Sequence, residues 1–256
     1  MDAVTMEEGM GDDAQEGAGL RFDLTFDLAQ DRLRDVNQRL HAPAAELAGC
    51  KVGIFNPDGA HNIAVGLNAP VEVTVQGHAG YYAAGMNQHA RVHIEGSAST
   101  GVAENMMSGS VHVKGFASNS AGASAHGGLL VIEGDAGLRC GISLKGGDIV
   151  VGGSVGSFTG FMAQAGRILI CGDAGDALGD SLYEAVIYVK GRIASVGADA
   201  RLEPLTETDL AHIAELLAGA EQAGWAGAAA HDPRDFQRVA SAKTLYHWNA
   251  DAPQDY

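Results

Sequence analysis

Two histidines are the first candidates for chemistry. His93 and His112 sit in the matching segments "RVHIEG" and "SVHVKG", 19 residues apart. If those segments stack, two imidazoles meet and could share a metal ion. A zinc-type site wants three or four protein ligands, and no third ligand falls on the same column. The plainer reading is a solvated histidine ladder, so no metal ligand set is assigned. The three cysteines, Cys50, Cys140 and Cys171, are far apart and form no C-x-x-C pair. That pattern supports neither a disulfide framework nor an iron–sulfur cluster held by this chain alone. Cys140 and Cys171 sit within the repeat and read as packing residues. The stretch "GGDIVVGGSVG" is rich in glycine, but its glycines obey a longer period described below, which weakens a phosphate-loop reading. With no nucleophile elbow, dinucleotide fingerprint or paired-carboxylate motif, we assign no catalytic and no cofactor-binding residue to this chain.

The elements that would position such residues are set by a repeat. Apolar runs close on Gly77, Gly96, Gly115, Gly134, Gly153, Gly172 and Gly191, every interval being 19 residues without insertion. Small residues recur three, seven and thirteen positions after each closing glycine. Branched aliphatics recur fifteen and seventeen after it, from Val92 and Ile94 through Ile187 and Val189. Alternation of this kind marks a strand with one buried face. Strands recurring so often, with no helix between them, cannot form βαβ units; they stack as rungs of a solenoid. The expected fold is an all-β solenoid, a right-handed parallel β-helix of about seven 19-residue coils, with short helical caps at the C-terminal end. The glycines would stand at corners, where the chain turns with positive φ or packs against the corner one rung away.

The flanks and the charge complete the outline. Residues 1–19 hold six acidic side chains and no Lys or Arg, and read as a disordered tail. Residues 20–52 read as an N-terminal cap, with a strand in "LRFDLTFDLA" and a short helix bearing Leu33, Val36, Asn37 and Leu40 on one side. The repeat unit spans 53–198. Residues 199–256 read as a helical extension: one helix capped by Thr206 and Asp209, and a second starting at Asp232 and Pro233. Both flanks are either solenoid caps or docking elements. A formal charge of −16 disfavours nucleic acid and anionic membranes as partners. No run approaches the roughly 20 apolar residues of a membrane span. Three unpaired cysteines fit a reducing, cytoplasmic setting.

Two stretches stand out as surfaces. The column sixteen after each closing glycine should face outward, and it turns from Thr74, His93 and His112 to Val131, Val150, Leu169 and Tyr188. An outward apolar stripe is covered, by the chain's own terminal segments or by another chain. The segment "GYYAAGMNQHARV" breaks the small-residue pattern with Tyr81, Tyr82, Met86, Asn87, Gln88 and His89. It is either a ligand or partner surface, or an end rung fitted to its cap.

The repeated G-x-x-G-x-x-x-G, as in "GDAGLRCGISLKGG" and "GSVGSFTGFMAQAG", resembles the GXGXG domain that closes the large subunit of glutamate synthase, over residues 53–198. The module is also similar to the GXGXG-containing chain of formylmethanofuran dehydrogenase. With "FNPDGAHNIAVGL", "GYYAAGMN" and "DFQRVASAKTLYHW" included, nearly the whole chain resembles the stand-alone β-helix subunits of N-methylglutamate synthase, the GlxC-like glutamate synthase domain 3 proteins. That resemblance implies a multi-chain enzyme converting methylamine and glutamate to N-methylglutamate and ammonia. It implies two partners: a type II glutamine amidotransferase-like chain and an FMN-containing synthase chain, the latter also the place for any iron–sulfur cluster. This chain would be the non-catalytic subunit holding them in register. The alternative is a GXGXG subunit of a glutamate synthase-like or a formylmethanofuran dehydrogenase-like, formyl-transferring complex, the latter disfavoured by the few basic residues on an acidic rod. An independent polysaccharide-acting β-helix would need clustered acidic, arginine or aromatic residues on one face, which are not found.

Overall fold

In a computed structural model, residues 21–243 are described; the acidic stretch 1–19 and most of the closing "KTLYHW" lie outside them. Strand β1 (Leu24–Asp27) and helices α1 (Leu33–Leu40) and α2 (Ala44–Leu47) precede a stack of strands. The stack comprises β2 (Lys51–Phe55), β3 (Glu72–Gln76), β4 (Arg91–Ile94), β5 (Ser110–Val113), β6 (Leu129–Ile132), β7 (Lys145–Val151), β8 (Ala165–Ile170) and β9 (Val186–Val189). Each pairs in parallel with the next, in a register that follows the sequence period: Val73 opposite Val92, Val111 opposite Leu130, Ile168 opposite Ile187. This is a parallel β-solenoid of about seven turns, roughly 34 Å from β2 to β9 at 4.8 Å per rung. The stack begins at β2, where Val52 already pairs with Val73. That first coil is two residues longer than the others, so the 19-residue period does not reach it.

The columns fifteen and seventeen after the closing glycine fill the core; Val92, Ile94, Ile149, Val151, Ile187 and Val189 are all buried. The closing glycines form a ladder. The Gly172 N–H donates to Gly153 O at 2.9 Å, and Gly191 N–H to Gly172 O at 3.0 Å. From Gly96 onward these residues lack the left-handed φ; close approach is what requires them. A Cβ on Gly172 would lie 2.6 Å from both C and O of Gly153.

The left-handed turns sit elsewhere. Positions five, seven and nine after the closing glycine all have positive φ, as in Arg139 (58°), Gly141 (67°) and Ser143 (54°) of one coil. Only the middle column is occupied by Gly or Ala throughout.

Both ends of the rod are closed. At the start, β1 adds in parallel to β2, and Asn37 of α1 ties the first turn, donating to Asn62 O and accepting from Ala64 N–H. At the far end, β10 (Ala200–Glu203) leads into α3 (Glu207–Gln222), two short 3-10 turns (Ala226–Ala230, Pro233–Asp235) and β11 (Gln237–Ser241). The second helix expected at Asp232 is one 3-10 turn. Its cap forms, Asp232 accepting from Arg234 N–H, but the chain then extends as β11 between β9 and β10, antiparallel to both. Pairing the exposed edge of β9 and burying Phe236 and Val239 outweigh the local helical signal.

Candidate functional site

The outer face of the long sheet is divided into two halves. Over β6–β9, Val131, Val150, Leu169 and Tyr188 are each fully buried. They pack under Ile213, Leu216, Leu217 and Ala220 of α3, with Trp225 and Phe236 completing the cluster. The apolar stripe is therefore covered by the chain's own C-terminal segment, and these four residues are not an available partner surface. The cover is pinned at one end. The Tyr188 hydroxyl donates to Asp209 Oδ1 at 2.8 Å, and Arg238 Nε donates to the same oxygen at 3.1 Å. Asp209 also closes the helix-capping box with Thr206. Burial pushes this carboxyl up, but donors from Thr206 and Tyr188 more than compensate and hold it below the ordinary carboxylate range. Burial, and the neighbouring Asp209, push the Tyr188 hydroxyl well above its usual range. Further along, Arg167 grips Asp148 with two nitrogens (2.9 and 2.6 Å) and Glu215 of α3 with a third (2.6 Å).

Over β3–β5 the column is polar: Thr74 and His112 are buried and His93 is half-buried. A cavity of about 550 Å³ lies beside the C-terminal end of α3, lined by Glu72, Arg91, His93, Ser110 and Gln222 among others. His93 and His112 meet here as neighbouring rungs: their Nδ1 atoms are 3.5 Å apart and their rings nearly perpendicular. His112 is 3% exposed, and its Nε2 lies 2.8 Å from Glu133 Oε1. Burial first, then the adjacent His112, hold the His93 imidazolium below its ordinary range. Among the described residues no three His, Cys, Asp or Glu side chains gather as a metal cluster. The cysteines are free thiols. Burial pushes Cys140 and Cys171 up to about 12, in line with packing roles.

The segment around Tyr81 divides as well. Asn87 is buried, donating to Ala90 O and Ser108 O, so it belongs to the core and not to a partner surface. Tyr81 stacks on His61 with ring centroids 4.2 Å apart, which fits the end rung to the first turn, yet it stays 56% exposed. Tyr82 accepts from Asn105, Gln88 is half-buried, and Met86 and His89 face outward. Other large apolar side chains are exposed on the same columns in later coils: Leu138 on the column of Tyr81, Phe158 on that of Tyr82 and Met162 on that of Met86.

Two features escaped the sequence reading. The residue after the closing glycine forms a polar ladder in the later coils: Asp135 Oδ1 accepts Ser154 N–H, Ser154 Oγ accepts Asp173 N–H, and Asp173 Oδ1 accepts Arg192 N–H. The recurring Ser and Asp at that column were its visible signal. The partnership of His112 with Glu133 links residues 21 apart, two positions off the period, and no column comparison shows it.

Protein GlxC of Rhizobium meliloti (strain 1021) is 47% identical over 231 residues, 90% of this chain and 99% of that protein. The chain belongs to the GlxC family. No protein-family model matches it. The aligned length is greater than the repeat region alone, so the match extends into the flanks of this GlxC-family chain. No helix among the described residues of this GlxC-family chain is long and apolar enough to cross a membrane.

Proposed function

We propose that this chain is a non-catalytic docking subunit of an N-methylglutamate synthase-type assembly, in which methylamine and glutamate give N-methylglutamate and ammonia. The rod would hold a type II glutamine amidotransferase-like chain and an FMN-bearing synthase chain in register. FMN, and any iron–sulfur cluster, would reside on the synthase chain; the wide separation of this chain's three cysteines suits that division.

The observation that carries the reading is the distribution of apolar surface. Self-covering by α3 removes the sheet stripe from consideration, while Tyr81, Met86, Leu138, Phe158 and Met162 remain 40–56% exposed on rigid coils. Large aromatic and Met side chains on a preformed surface are the composition of protein–protein contacts. A rod of stacked rungs fixes the spacing of whatever binds along it. Membership of the GlxC family and the glutamate synthase-like repeat motif support the nature of the assembly. The test is to tag this chain at its N-terminus, purify it from cells that grow on methylamine, and identify its companions. Co-purification of an amidotransferase-like and an FMN-containing chain supports the proposal. Recovery of this chain alone, as a stable oligomer, overturns it.

A further inference from the structure

Twice on the outer sheet face an acidic residue stands opposite an arginine of the next rung, in one column of the repeat. Asp148 faces Arg167, and Glu72 faces Arg91. The first pair is closed: Arg167 holds Asp148 with two nitrogens, at 2.9 and 2.6 Å. The second is open. Among the described residues neither Glu72 nor Arg91 enters an ion pair or a side-chain hydrogen bond. The carboxylates on the neighbouring column are already engaged, Glu95 by Lys114 and Glu133 by His112.

The open pair lines the cavity of about 550 Å³, together with His93, Ser110 and Gln222 and the apolar side chain of Leu129. A second cavity of about 250 Å³ shares both charged side chains with it. A few unspent polar groups converging on a space of this size are the usual form of a small-molecule site. Burial and the adjacent His112 hold the His93 imidazolium below its ordinary range, so near neutral pH this lining carries one positive and one negative charge. A carboxylate alone would meet repulsion from Glu72, and an amine alone would meet it from Arg91. A ligand bearing both charges answers each of them. The guanidinium suits its carboxylate, offering two parallel N–H donors.

We propose that the cleft over β3–β5 binds a small zwitterion of the free amino acid class, its carboxylate on Arg91 and its ammonium on Glu72. Ser110, His93 and Gln222 supply neutral hydrogen-bonding groups around it. The site is independent of whether the chain docks partners.

The test uses the full-length chain and saturation-transfer NMR titrations with a panel of the common L-amino acids. Each is read against two counterparts, the amine lacking the carboxylate and the acid lacking the amine. At least one amino acid should bind, and both of its counterparts should bind weaker by about 10-fold or more. Arg91→Gln and Glu72→Gln should each weaken binding about 10–100-fold, through loss of charge-assisted hydrogen bonds, with the melting temperature unchanged. Arg139→Gln, at an exposed turn elsewhere on the rod, should bind as the unaltered chain does. Failure of every amino acid to bind, equal binding of either counterpart, or binding that survives Arg91→Gln overturns the proposal.

Discussion

Gly172→Ala isolates the reason for the 19-residue glycine. If the closing glycine were needed for its backbone angles, alanine would be tolerated here, because Gly172 lacks a positive φ. The structure predicts the opposite. The added Cβ would lie 2.6 Å from Gly153 C, Gly153 O and Ser154 Oγ. Two of these are backbone atoms of the rung below, already held by the Gly172 N–H to Gly153 O bond of 2.9 Å. Relief to an ordinary contact of 3.4 Å or more requires about 0.8 Å of separation between rungs otherwise fixed near 4.8 Å. Overpacking of this kind costs about 1–3 kcal/mol. For a chain of this length each kcal/mol lowers Tm by roughly 2–4 °C, so a fall of about 2–12 °C is expected. Ser143→Gly is the companion. Ser143 has φ +54°, so glycine there relieves left-handed strain of about 1–2 kcal/mol while adding backbone entropy of about 0.4–1 kcal/mol to the unfolded chain. Its Tm should stay level or rise. Differential scanning calorimetry on both variants decides the matter. An unchanged Tm for Gly172→Ala, or a larger loss for Ser143→Gly, would refute the close-approach argument.

Other consequences follow from the cover and the core. Tyr188→Phe removes one of several donors to Asp209 and should lower stability by about 1.5 kcal/mol in urea denaturation. Because the folded pKa of Asp209 is depressed, its contribution is present above the unfolded value near 3.9 and is lost as pH falls through the lower folded value. Asp209→Asn should therefore flatten the acid limb of the stability–pH curve below about pH 4, and an unaltered limb would contradict this assignment. Leu169→Ala, under α3, should cost about 2–5 kcal/mol, read from the same denaturation midpoint. With thiol pKa values near 12, Cys140 and Cys171 should resist a disulfide reagent at pH 8 in the native protein and react only after denaturation.

Much of the architecture was legible because each coil repeats the same physical problem. Strand alternation at Val92 and Ile94 and its recurrences predicted the core columns, and the structure buries all of them. The outward apolar run from Val131 to Tyr188 announced a cover, but sequence alone left open what supplied it. Tertiary packing settles it: Ile213, Leu216 and Leu217 of α3 match that stripe. The positive-φ columns at five and nine after the glycine were hidden because Arg139, Phe158 and Ser143 carry no local sign of left-handed geometry. Inter-rung hydrogen bonds impose it, as with Arg139 N–H to Ser157 O at 3.0 Å. At Asp232 the capping signal was real, while the helix it would start gave way to strand pairing with β9. Asn87 looked like surface because polar residues seldom occupy a core column, yet its amide satisfies two carbonyls inside the rod.

The proposed docking would use the uncovered apolar columns, and a paired substitution tests it most directly. Leu138→Glu with Phe158→Glu alters two side chains that are 50% and 41% exposed, so the fold should persist. Native mass spectrometry of the tagged assembly should then show this chain released from at least one companion, while its own melting curve is unchanged. An assembly of unaltered mass and composition would contradict the claim that this face holds the partners.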